Sequence, residues 1–80
     1  MTVGDKVRID VKVAKKFSTD FHYLSALEVL RKSYRRSRRP FEIYKKEGCL
    51  VFVKFDCYGL FTEMPVGIPY AAIIGNNEEA

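Results

Sequence analysis

A stretch near the middle of the chain, residues 25–40, reads as a two-faced helix with a marked start and stop. Ser25-Ala26-Leu27-Glu28 fits a capping box, and Leu24 with Val29 fits the hydrophobic staple that accompanies one. A start near Asp20 is equally open, because the run Lys15-Lys16-Phe17-Ser18-Thr19-Asp20 supplies several N-cap residue types. Pro40 biases its predecessor away from helical angles, so the helix ends by Arg39. At ~100° per residue, measured from Leu27, the cations Arg31, Lys32, Arg35, Arg36, Arg38 and Arg39 fall between roughly 20° and 180°. Leu30, Tyr34, Val29, Ala26, Ser33 and Ser37 take the opposite arc. Residues 26–37 are therefore expected to be helical, with Leu27, Leu30 and Tyr34 inward and Arg35, Arg36 and Arg39 outward.

Around this helix the period changes to two. Val7, Ile9, Val11 and Val13 alternate with Arg8, Asp10 and Lys12, which predicts a first strand with one buried face. After Pro40 come short β-type runs at Phe41 to Tyr44, Leu50 to Phe55 and Leu60 to Met64. The connections Lys45-Lys46-Glu47-Gly48 and Asp56-Cys57-Tyr58-Gly59 have hairpin length with Gly near the end of each. A three-stranded antiparallel meander follows. In its middle run Val51, Val53 and Phe55 line one face and Leu50 and Phe52 the other, which predicts a central strand covered on both sides. Pro65-Val66-Gly67-Ile68-Pro69 interrupts pairing, and Tyr70 to Ile74 can form a short last strand.

The expected fold is a single α+β domain over residues 1–75, one helix packed on a four- to five-stranded, mainly antiparallel sheet. Residues 76–80 read as a frayed polar tail. An 80-residue chain buries only ~60% of the surface its unfolded form exposes, so there is room for one core. The predicted core is Val7, Ile9, Val11, Leu27, Leu30, Tyr34, Ile43, Val51, Val53, Phe55, Phe61 and Ile73. Val3-Gly4-Asp5-Lys6-Val7-Arg8-Ile9, Val53-Lys54-Phe55-Asp56 and the closing Met64-Pro65 through Ile73-Ile74 resemble the first and last strands of small SH3-like barrels. Those barrels include translation-type RNA-binding modules and the variable subunit of ferredoxin–thioredoxin reductase. The resemblance covers about a quarter of the chain and implies an alternative, an SH3-like β-barrel in which Leu27 to Tyr34 is extended.

Function must be read from charge placement, since the formal net charge is +4 and six of fourteen cations fall within nine positions. Arg carries a forked, permanently charged donor set that pairs bidentately with phosphate oxygens. A solvated face, with one or two cations complementing the helix dipole, is the competing reading. Tyr34, Tyr44, Tyr58, Tyr70 and Phe41 can stack bases beside such a patch or simply build a core that has no Trp. The binding candidates are Arg31, Lys32, Arg35, Arg36, Arg38, Arg39 and Tyr44. DNA or RNA is the expected partner, in a nucleic-acid-binding or nucleic-acid-associated regulator. The alternative is a protein-interaction module, a phage-type inhibitor or accessory subunit, that binds an acidic protein surface. The aromatic motif of RNA-recognition domains and a helix-turn-helix pair are both missing from the sequence.

Catalytic residues are not expected, because His22 is the one histidine and no Ser or Cys is spaced with it as a nucleophile needs. Asp5, Asp10, Asp20, Glu28, Glu42, Glu47, Asp56 and Glu63 are scattered singly through turns and strand faces, so no metal and no cofactor is expected, and the protein reads as non-enzymatic. Cys49 and Cys57 fit neither a redox pair nor a zinc knuckle and are expected to be reduced packing residues. No basic n-region and apolar h-region open the sequence, which predicts a cytoplasmic location, and the longest apolar run is too short for a membrane partner.

Overall fold

The computed structural model describes residues 2–75. They form an α+β domain in which one long helix packs across an antiparallel sheet. In chain order the elements are β1 (Lys6–Ile9), α1 (Val11–Lys15), α2 (Phe21–Ser37), β2 (Phe41–Glu47), β3 (Leu50–Cys57), β4 (Leu60–Glu63), β5 (Ile68–Pro69), a 3-10 turn (Tyr70–Ala72) and β6 (Ile73–Gly75). The sheet runs β4-β3-β2-β1-β6, with β5 also on β3, and every pairing is antiparallel. β4 pairs with Lys54–Cys57 and β5 with Leu50 and Val51. The two short strands thus share one edge of β3, separated by the Pro65-Val66-Gly67 detour that the prolines impose. At Gly67 a Cβ would lie 3.0 Å from Leu50 Cβ and Phe52 Cζ, so the missing side chain lets the detour close onto β3.

The expected meander is present as β2–β3–β4, and β3 is central. Val51, Val53 and Phe55 join the core beneath α2, while Phe52 on the other face lies under Tyr44. The first strand is shorter than its alternation predicts. Asp10 ends it by accepting the backbone N–H of Val13 at 3.2 Å, and Val11 and Val13 lie in α1, not in a strand. A carboxylate that caps a helix competes directly with continued sheet pairing. The helix that follows buries Ala14 and leaves Lys12 and Lys15 exposed.

α2 begins at the earlier of the two possible starts. Asp20 accepts the N–H of Tyr23 at 3.0 Å. Ser25 therefore sits inside the helix, and Glu28 pairs with Arg31 and makes no capping contact with Ser25. Leu27 to Tyr34 is helical, which rules out the extended form that the barrel alternative required. β1 also pairs with the last strand, β6, so the two ends of the described chain lie side by side in the sheet. Of the predicted last strand, Tyr70–Ala72 forms the 3-10 turn and Ile73–Gly75 alone pairs.

The core holds Val7, Leu27, Leu30, Ile43, Val51, Val53 and Phe55 as expected, with Ile9, Val11, Tyr34 and Ile73 partly buried against it. Phe61 is a correction. It faces away from α2 and lies under Lys6 and Arg39, whose charged ends are 5.5 and 4.2 Å from the ring centre. Ala14, Tyr23, Ala26, Phe41, Met64, Ile68 and Ala72 complete the core. Both cysteines are free, but Cys49 is exposed in the β2–β3 turn and does not pack; Cys57 is half-buried. The predicted tail, residues 76–80, lies outside the described residues.

Candidate polyanion-binding site

The C-terminal half of α2 and the β3–β4 hairpin meet at one buried carboxylate. Asp56 is 5% exposed, and its backbone carbonyl accepts from Ser33 Oγ at 2.7 Å and from Arg36 Nη2 at 2.8 Å. Its side chain accepts from Arg39 Nη1 at 2.7 Å and from the Gly59 N–H at 2.9 Å. The Gly59 amide, then the Arg39 guanidinium, hold the Asp56 carboxyl below the ordinary aspartate range, because both favour its charged form. Asp56 thereby ties the end of the helix to the turn that follows β3.

That turn has unusual chemistry. Cys57 pairs with Leu60, leaving a two-residue loop in which Tyr58 (φ 52°) and Gly59 (φ 94°) are both left-handed. This is the type I′ pattern, whose first position normally takes Asn, Asp or Gly. Tyr58 is 82% exposed, and the guanidinium carbon of Arg36 lies 4.3 Å from its ring centre.

The six predicted cations do come together, but they are not equivalent. Arg31 pairs with Glu28 one turn earlier, holding that carboxyl below its usual range. Arg36 is exposed, as the angular sorting requires, and Arg39 is exposed too, although it follows the left-handed cap at Arg38 and so lies beyond α2 and outside that sorting; both are engaged by Asp56. Arg38 closes α2 in a left-handed conformation (φ 60°), donating its N–H to Tyr34 O at 2.8 Å, with its guanidinium 5.9 Å from the Tyr34 ring centre. Lys32 and Arg35 are exposed and make no hydrogen bond or ion pair with the described residues. Six cations less the carboxylates of Glu28 and Asp56 leave four positive charges, which is the formal net charge of the whole chain.

Tyr44 is not part of this group. Its ring lies on Phe52, on the sheet face away from α2, and its hydroxyl donates to Met64 O at 2.8 Å. Burial pushes the Tyr44 phenol up. Phe41, which stands beside the Arg run in sequence, is 3% exposed and packs on Tyr34, so neither serves as an open stacking ring. Asp56 was invisible as an organiser in the sequence, where it is one of ten acidic residues. Its signal was local: an Asp three residues before a turn Gly can accept that Gly's amide.

Two hollows flank the helix. One, about 200 Å³, is bounded by Val29, Lys32, Arg36, Phe55, Cys57 and Tyr58. The other, about 150 Å³, is lined by aliphatic and aromatic side chains, Ile9, Val11, Leu30, Ile74, Tyr34 and Phe41, together with Arg8, Arg31 and Arg35. Among the described residues there is no group of three or more side chains suited to hold a metal ion. Among the described residues no helix is long and apolar enough to cross a membrane. No protein-family model matches the sequence, and no curated protein or solved structure matches it.

Proposed function

We propose that this is a non-enzymatic, cytoplasmic binding domain whose basic end of α2 grips the phosphates of a nucleic acid. The observation that carries the reading is the concentration of the chain's entire charge surplus around Lys32, Arg35, Arg36, Arg38 and Arg39. Three of these guanidiniums, on Arg36, Arg38 and Arg39, lie over aromatic rings. A stacked guanidinium keeps its in-plane N–H groups available while some of its rotamer freedom is already lost, which lowers the entropy cost of a phosphate contact. Residual like-charge repulsion along α2, as between Arg31 and Arg35, is relieved when an anion binds.

The test is a salt-titrated binding measurement with fluorescent DNA and RNA, comparing the parent with Lys32→Ala/Arg35→Ala/Arg38→Ala. These three make no ion pair with the described residues, so the fold is expected to survive their loss. If each contacts a phosphate, the slope of log K against log salt flattens by ~0.7 per contact on single strands and ~0.9 on duplex. Equal binding by parent and triple variant at ~0.15 M salt, where charges more than ~8 Å apart are screened, refutes the reading.

One observation favours the second reading, an acidic protein surface. The hollow that Arg8, Arg31 and Arg35 help to line has an otherwise apolar floor of aliphatic and aromatic side chains. Such a floor suits an apolar side chain flanked by carboxylates. A partner held that way survives a salt wash, whereas phosphate contacts alone do not.

A further inference from the structure

We infer that the exposed ring of Tyr58 is a stacking platform for an unpaired base, so that the ligand is single-stranded nucleic acid and not duplex. The inference rests on the phosphate-binding reading above. Tyrosine at this position is costly for the fold. A left-handed backbone brings Cβ close to the following carbonyl oxygen, which Gly avoids and Asn tolerates far better than Tyr does. The ring recovers none of that by burial, since 82% of the residue is exposed. Arg36 packs on it, with the guanidinium carbon 4.3 Å from the ring centre.

The backbone of the turn that carries the ring is nevertheless held in place. Asp56 holds the turn from below through Gly59, and Ser33 and Arg36 hold Asp56 from the helix. Lys32 and Arg36 bound the same hollow as Tyr58, so the ring stands directly beside cations of the basic end. An aromatic face held open next to guanidinium and ammonium groups matches a base and the phosphate that follows it. Duplex offers no unstacked base to such a ring, whereas a single strand does. Sequence preference is expected to be weak, because every base has a π-face.

The experiment uses fluorescence anisotropy with three probes: an oligothymidine of about twelve nucleotides, within the span of known single-strand sites, an abasic strand of equal length, and a duplex of equal length. The proteins compared are the parent, Tyr58→Asn and Tyr58→Phe. Asn-Gly is the preferred type I′ pair, so Tyr58→Asn keeps the turn while removing the ring. Oligothymidine should bind the parent more tightly than the abasic strand and the duplex. Tyr58→Asn should weaken oligothymidine roughly 5- to 150-fold without changing its salt slope, and Tyr58→Phe should leave it unchanged. Duplex bound as tightly as the single strand, or an unchanged affinity in Tyr58→Asn, overturns the stacking inference and leaves phosphate binding standing. No binding of any probe at low salt overturns both.

Discussion

The two donors on the Asp56 carbonyl allow a sharp test of how the helix and the hairpin are joined. A carbonyl oxygen has two lone pairs, and here Ser33 Oγ and Arg36 Nη2 fill them at 2.7 and 2.8 Å. Ser33→Ala removes one neutral hydrogen bond at a site 2% exposed and should cost ~1 kcal/mol. Arg36→Ala removes a charged donor. Because Arg36 is itself exposed, screening reduces that loss to ~1 kcal/mol, with ~0.5 kcal/mol more from the contact with Tyr58. Each single variant leaves the carbonyl one partner. The double variant leaves none, and stranding a buried polar group adds roughly 1–3 kcal/mol. The cycle should therefore show a non-additive loss of ~1–2 kcal/mol beyond the sum of the singles. With a urea slope near ~1 kcal/mol/M for a small domain, far-UV circular dichroism would place the double variant's midpoint at least ~1 M below the additive expectation. Additivity within ~0.3 kcal/mol would mean that water replaces both donors, and the Asp56 junction would not be the clamp described here.

Leu30→Ala, at a side chain with no exposure, should destabilise by ~2–5 kcal/mol in the same assay, and a loss under ~1 kcal/mol would show that Leu30 is not packed against the sheet. Asp56 titrates below its ordinary value in the folded state, so its contribution is complete above the unfolded value and is lost as pH falls through the folded one. Asp56→Asn should accordingly be less stable than the parent at neutral pH, and the gap should close in urea titrations carried below about pH 4; a gap independent of pH refutes the assignment. Arg38→Gly relieves a left-handed backbone at the end of α2 and should raise stability by ~0.5–1 kcal/mol while weakening polyanion binding. Opposite signs in the two measurements separate the role of Arg38 in the fold from its role in binding.

Much of the fold was legible because it is set by local periodicity. The charge sorting of residues 26–37, the alternation in residues 50–55 and the hairpin-length turns each act over a few residues, and α2 and the β2–β3–β4 meander followed from them. The barrel alternative failed for the same reason: the helical period across Leu27 to Tyr34 outweighed the likeness of the chain ends. Where two local signals competed, the sequence was ambiguous. Val11 and Val13 continue a period of two, yet Asp10 caps a helix. Asp20 and Ser25 are both acceptable N-caps, and the burial of Tyr23 and the bond from its hydroxyl to Ala14 O favour the earlier start.

The candidate site was legible only as a composition. Sequence alone placed Arg31, Lys32, Arg35 and Arg36 on one arc of one helix, because the helical repeat fixes angle from residue number, whereas Arg38 and Arg39 lie past the left-handed end of α2, where that repeat no longer applies. It could not say which of them are engaged within the fold, since that depends on what comes to lie beside the helix. Tertiary packing brought Asp56, remote in sequence from Arg36 and Arg39, into contact with both, moved Tyr44 to the opposite face of the sheet and raised Tyr58 as the open ring beside the cations. Hydrogen bonds and stacking act over a few ångströms of space, and separation along the chain does not report that distance.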